Sequence, residues 1–167
     1  LPYGIIYRYF NSEKRTTMKK RSSYRPKPVV FDVMSMVKRA MTPLTAVKEA
    51  DNNLRRTTRD AFYRVSSGLG TSHHIGLLAA CSNVAMALAR DGKGKDWGPE
   101  IRLGADSIEA IQVRHKKWGK VQMTPAERDS IWHLIEIHEA QLDATNLKEL
   151  DKAGNIAHMA IYGEPMQ

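Results

Sequence analysis

The sequence predicts an all-α fold, a compact bundle of five to six helices with a disordered basic N-terminal arm. Three observations carry that expectation. The apolar residues are weighted toward Ala, Leu and Met, types that favour helix over sheet. From about residue 31 they recur at spacings of three and four, the period of one helix face. Residues 8–30 lack any such period and are rich in Lys, Arg, Ser, Thr and Pro, a composition that cannot bury enough apolar surface to fold. Residues 1–30 are therefore read as a flexible arm and 31–167 as a single helical domain. Its roughly 130 residues suffice for one modest core.

Within the arm, Pro26 and Pro28 push Arg25 and Lys27 out of helical geometry, so residues 24–28 read as a short polyproline-like stretch. Val33, Met36, Val37 and Met41 then mark a helix over about 31–41. Thr42 reads as the N-cap, and Pro43 as the first position, of a long helix over 43–66. Its inner face is Leu44, Val47, Leu54, Ala61, Phe62 and Val65, and Asp51-Asn52-Asn53 invites a kink within it. Ser67-Gly68-Leu69-Gly70-Thr71 ends it.

A helix over 73–90, with Ser72 as N-cap, buries Ile75, Leu78, Ala79, Ser82, Ala85, Met86 and Ala89. So many small residues place it centrally, packed closely on its neighbours. Gly92-Lys93-Gly94-Lys95 breaks it. The next helix, over 99–117, carries Ile101, Ala105, Ile108 and Ile111 inward, is bracketed by Trp97 and Trp118, and closes at Gly119. Thr124-Pro125-Ala126-Glu127 is a capping box and opens a helix whose inner face is Ile131, Leu134, Ile135, His138 and Leu142. The last helix, over 146–161, follows Thr145 and turns Leu147, Leu150, Ala153, Ala157 and Ile161 inward, with Gly154 weakening it. No strand is expected; 29–31 and 120–123 are the only β-like pieces.

The charge is distributed unevenly. Residues 1–39 carry ten Lys/Arg against Glu13 and Asp32, which accounts for the whole net charge of +8. Residues 40–167 carry sixteen of each sign. A neutral body with a cationic arm excludes a uniformly basic domain. The arm is either a solvated tail or a handle for a polyanion. Met18, followed by Lys19-Lys20-Arg21, reads as a natural start, with 1–17 an upstream extension. Residues 1–7 are apolar but too short for a membrane span, and no basic region precedes them as in a secretory signal. No run of about 18 apolar residues occurs, so no membrane partner is expected. Cys81 is the only cysteine. It allows neither an intramolecular disulfide nor a cysteine-based zinc site, fits a reducing cytoplasm, and reads as a small buried residue.

Few residues suggest chemistry. His133 and His138 are five apart and project about 140° from each other on a helix, whereas a zincin pair needs four. His138 lies on the inner stripe and reads as a core histidine hydrogen-bonded to backbone or a carboxylate. His73-His74 at a helix start could meet an anion, or could simply be polar first-turn residues. Gly92-Lys93-Gly94-Lys95 resembles a fragment of a phosphate loop, but it follows a helix where a P-loop follows a strand, and it reads as a connection. No nucleophile motif or pair of catalytic carboxylates has a recognisable context. No enzyme activity, metal or cofactor is expected.

Three basic groups remain. Arg55, Arg56, Arg59 and Arg64 are offset by the i, i+4 pairs Asp51–Arg55, Arg56–Asp60 and Asp60–Arg64, and read first as a salt-bridged outer face. Lys116, Lys117 and Lys120 surround Trp118 in a smaller basic, aromatic cluster. The arm is the richest. Lys19, Lys20, Arg21, Arg25 and Lys27 can neutralise phosphates, and Tyr24 can stack on a base.

From Met18 onward the chain resembles a group of small uncharacterised proteins from phages, prophages and related elements of proteobacteria. The resembling stretches are Lys20-Arg21-Ser22-Ser23-Tyr24-Arg25-Pro26-Lys27-Pro28-Val29, Ala80-Cys81-Ser82-Asn83-Val84-Ala85-Met86-Ala87-Leu88, and His138-Glu139-Ala140-Gln141-Leu142-Asp143 with Leu147-Lys148-Glu149-Leu150. The resemblance implies a mobile-element origin, hence the cytoplasm of a bacterial host, and a helical fold. It carries over no activity. The expected role is a non-enzymatic accessory protein that binds DNA or RNA through the arm with weak sequence selectivity. The alternative is a protein–protein module that inhibits or adapts a host factor through its helical surface, with Trp97, Trp118 and Trp132 as the candidate patch.

Overall fold

Small side chains let helices approach closely, and the alanine-rich segment does sit in the middle. In the computed structural model, which describes residues 37–162 other than Arg39, five α-helices pack together. They are α1 (Lys48–Ser66), α2 (Ser72–Arg90), α3 (Gly98–Trp118), α4 (Pro125–Asp143) and α5 (Leu147–Tyr162). The other four all pack against α2, α3 and α4 also pack on each other, and α1 closes over α4. By length and composition α2 could cross a membrane, but half of its apolar window is buried inside the bundle, as a core helix requires. Among the described residues there is no strand, only an isolated antiparallel bridge between Pro43 and Asn146. The expected arm, including Lys19, Lys20, Arg21, Tyr24, Arg25 and Lys27, lies outside the described residues, as does most of the expected helix over 31–41.

The core joins Phe62 and Val65 of α1, Ile75 and Leu78 of α2, Ile101, Ile108 and Ile111 of α3, and Ile131, Leu134 and Ile135 of α4. A smaller cluster of Ala87, Leu88 and Ala153 seats α5 on α2. The α3–α4 crossing is tight at Gly104. A Cβ there would lie 2.7 Å from the Leu134 Cβ. Three residues along, the Ser107 and Ser130 hydroxyls meet at 2.7 Å.

Several boundaries differ from the sequence reading. The helix over 43–66 is split. Leu44–Ala46 form one 3-10 turn, and α1 begins only after Val47, whose φ of −105° and ψ of 67° leave the helical region. The cause is tertiary. The Leu44 N–H donates to Thr145 O at 2.9 Å and the Leu147 N–H to Thr42 O, which ties this turn to the start of α5 and buries Leu44. Thr42 caps nothing; its hydroxyl donates back to Lys38 O. The helix runs unbroken through residues 51–53, where Asp51 accepts from Arg55 one turn on. Val37, Met41 and Leu54, read as inward, are exposed.

Helix α2 starts one residue early, at Ser72, with Thr71 before it. The His74 Nδ1 accepts the Thr71 backbone N–H at 3.1 Å and lies 2.9 Å from the Thr71 hydroxyl, filling the capping-box place usually held by Glu or Gln. The expected box at α4 is present, with the Thr124 N–H donating to Glu127 Oε2 at 2.8 Å and the Glu127 N–H to Thr124 Oγ1 at 3.3 Å. An unforeseen box opens α5, where Asn146 and Glu149 exchange bonds of 3.0 and 2.9 Å. Gly119 ends α3 in the left-handed region at φ +68°, a conformation that costs glycine nothing.

Candidate nucleic-acid interface

A cation can meet an outside phosphate only if no carboxylate of its own protein already holds it. The α1 arginines are largely held. Arg55 donates to Asp51 at 2.8 Å and crosses to Asp143 of α4 at 2.7 Å. Arg59 grips Glu139 of α4 with two bonds, at 2.7 and 2.5 Å. Arg64 takes Asp60 at 2.9 Å, so the expected Arg56–Asp60 pair gives way to Asp60–Arg64. Partial burial would lower the pKa of Arg55, but the two aspartates reverse this and raise it. The Glu139 hydrogen bonds raise Arg59. This face is a strap binding α1 to α4. Arg56 stays exposed, beside an open depression that it lines with Asp60, His73, His74 and Leu77.

Other carboxylates are engaged too. Arg114 holds Glu127 at 2.7 and 2.5 Å. Burial would raise the Glu127 carboxyl, but Arg114 and the Thr124 cap bonds outweigh it and hold the pKa below its ordinary value. Lys93 pairs with Glu149 at 3.3 Å, and Lys152 with Asp91. The Gly92–Lys95 loop is a tied-down connection. Lys93 turns inward, its ammonium donating to Ala144 O at 2.7 Å, and its carbonyl accepts from Gln141 Nε2 at 2.8 Å. The Trp97 ring covers Gly94, so that a Cβ there would lie 2.1 Å from its Cε3.

The body's charge is also polarised along its length, which the overall neutrality conceals. The α1–α2 and α3–α4 loops meet at one end of the bundle. Val121 packs into the core, and a Cβ on Gly70 would lie 2.9 Å from its Cγ1. The segments at this end, residues 61–74 and 110–126, contain no Asp or Glu. They present Lys116, Lys117, Trp118 and Lys120, all exposed. Trp118 is 58% and Leu69 74% exposed. The Lys117 Nζ sits 4.8 Å from the Trp118 ring centroid, a cation–π contact. Of the acids that flank these segments, Asp60 and Glu127 are taken by Arg64 and Arg114, Glu109 lies about two turns back along α3, and Arg128 and Asp129 add one charge of each sign. The gap in acidic residues was visible in the sequence. Only the loop packing shows that both stretches share one end.

The three tryptophans do not form one patch. Trp97 and Trp118 flank α3, a helix about 30 Å long at 1.5 Å per residue. Trp132 is half-buried against Phe62, at 5.1 Å between ring centroids, and donates to Glu136 at 2.9 Å. A shallow groove of about 160 Å³ lies between α2, α3 and α5, lined by Met86, Ala105, Ile156 and Ala160 with Arg90, Arg102 and Asp106.

His133 is exposed, with its Nδ1 3.6 Å from Glu136, and His138 is buried, so the two point apart. His138 Nδ1 has no hydrogen-bond partner; the side chain's hydrogen-bonding neighbour is Gln141 rather than the backbone or carboxylate expected. Burial lowers its pKa to about 4, against smaller upward pulls from Gln141 and Glu139. Cys81 is buried, as expected. Desolvation, reinforced by the Glu139 charge, pushes its thiol up to about 12, far from a reactive thiolate. Among the described residues no three His, Cys, Asp or Glu side chains converge as metal ligands.

No protein-family model, curated protein sequence or solved structure matches the chain.

Proposed function

We propose that this is a non-enzymatic phage or prophage accessory protein of the bacterial cytoplasm that binds nucleic acid through its basic N-terminal arm. Lys19, Lys20, Arg21, Arg25 and Lys27 contact phosphates and Tyr24 stacks on a base. The supporting observation is the charge balance of the body, where seven of the sixteen carboxylates are held by its own cations. Asp51, Asp60, Asp91, Glu127, Glu139, Asp143 and Glu149 are each engaged by a described Lys or Arg. The surplus of eight positive charges, all within residues 1–39, meets no surplus of acid in a body that carries sixteen charges of each sign, seven of its acids already paired, so an outside polyanion is its natural counterpart.

The test replaces Lys19, Lys20, Arg21, Arg25 and Lys27 together by Gln in the full chain. Anisotropy with a labelled oligonucleotide at low salt should show affinity falling at least about tenfold. Unchanged affinity contradicts the proposal.

A second reading, a helical surface that docks a host protein, is favoured by the groove between α3 and α5 and by Ile156 and Met159 exposed on α5. It predicts a partner retained after nuclease treatment, indifferent to the five Gln substitutions and lost on Ile156→Lys.

A further inference from the structure

We infer that the acid-free end of the bundle is a second contact surface, a platform for unpaired bases of a single-stranded nucleic acid. The inference rests on the nucleic-acid reading but uses different residues. Two properties coincide there. Lys117 and Lys120 are exposed with no carboxylate partner among the described residues. Between them stands Trp118, 58% exposed although a large aromatic ring gains more than most residues by burial,. Leu69, 74% exposed, lies in the neighbouring loop.

The local chain explains how the indole is held outward. Trp118 is the last residue of α3, and Gly119 turns the backbone left-handed immediately after it, with its N–H on His115 O at 2.8 Å. The chain then dives inward to bury Val121, leaving Trp118 and Lys120 at the rim. One indole face carries the Lys117 ammonium. A base stacked on the ring would therefore have an ammonium close to its own phosphates, the pairing of stack and charge that single-strand binders use. A duplex keeps its bases stacked on one another and offers such a ring only its backbone. An acidic polypeptide would satisfy the lysines but has no use for the indole. Charge and ring together therefore select single strands.

The test uses the full chain with labelled oligothymidylate, a duplex of equal length and polyglutamate. Replacing Lys117 and Lys120 by Gln should flatten the single-strand salt slope by about 1.4, roughly 0.7 for each phosphate no longer neutralised. Trp118→Ala should weaken oligothymidylate binding roughly ten- to hundred-fold, as removal of one stacked base does, and leave duplex binding within about twofold. Oligothymidylate should quench indole emission in the wild type but not in Trp118→Phe, with melting curves checking the fold of each variant. Equal losses on single strand and duplex, absence of quenching, or polyglutamate competing as well as oligothymidylate would each overturn the inference. The arm is judged separately by its own five Gln substitutions. If quenching persists at saturation in that variant, the platform stands whether or not the arm contributes. If Trp118→Ala leaves single-strand affinity unchanged while the arm variant loses it, the platform falls alone.

Discussion

His138 shows what one buried side chain can do to the pH dependence of stability. Its folded pKa of about 4 lies below the ordinary histidine value of 6.5, so the unfolded chain takes up the proton first. Its contribution is complete above about pH 6.5 and is lost as pH falls toward 4. The slope is about 1.4 kcal/mol per pH unit, or roughly 3 kcal/mol in all. Denaturant melts between pH 7 and 4 should show this decline, and His138→Gln, which cannot titrate, should flatten it. Gly104 is a second decisive residue. With Leu134 Cβ and the Ser130 carbonyl in its way, a valine there overpacks the α3–α4 crossing, and Gly104→Val should cost about 2–3 kcal/mol. The two differ in legibility. His138 falls on the apolar period of its helix, so its burial was visible. Gly104 does too, but nothing local says that a neighbouring backbone occupies the space of its missing side chain.

At the scale of elements, what was legible is what the chain encodes within one turn. Thr124-Pro125-Ala126-Glu127 announced α4 because Thr and Glu are the usual pair for a reciprocal cap. The boxes at Thr71–His74 and Asn146–Glu149 use less familiar partners and passed unnoticed. Glu127 serves both its cap and Arg114. Glu127→Gln keeps the cap geometry but loses the ion pair. Glu127→Ala loses both and should melt lower, by about 1 kcal/mol more in stability at pH 7. The break at Val47 could not be foreseen, because its cause is hydrogen bonding to residues far along the chain. The same holds for Arg55 and Arg59. Arg55 had a local partner in Asp51, and that pair forms, whereas Arg59 has no acid one turn away, and the contacts to Asp143 and Glu139 are tertiary. The Arg59–Glu139 pair should therefore couple in a double-mutant cycle of unfolding, by about 0.5–1 kcal/mol given its exposure, and Arg56 should show no coupling with Asp60.

For the molecule as a whole, helix content and the central place of the alanine-rich helix followed from composition and periodicity. The candidate interface was only half legible. A charge count located the cationic arm, and local reading found the lysines around Trp118, but the count described the remainder as neutral and did not show that the acid-free α1–α2 loop shares that end. A count along the chain has no information about which loops meet. Phosphate neutralisation by the arm is the central claim, and the salt dependence of binding tests it most directly. Full-length protein and the variant with Lys19, Lys20, Arg21, Arg25 and Lys27 changed to Gln should be titrated with one labelled oligonucleotide from low to physiological salt. The difference between their slopes of log K against log salt is the arm's share. Five phosphate contacts predict a difference of about −3.5 on a single strand to −4.5 on a duplex; a difference near zero would contradict the account.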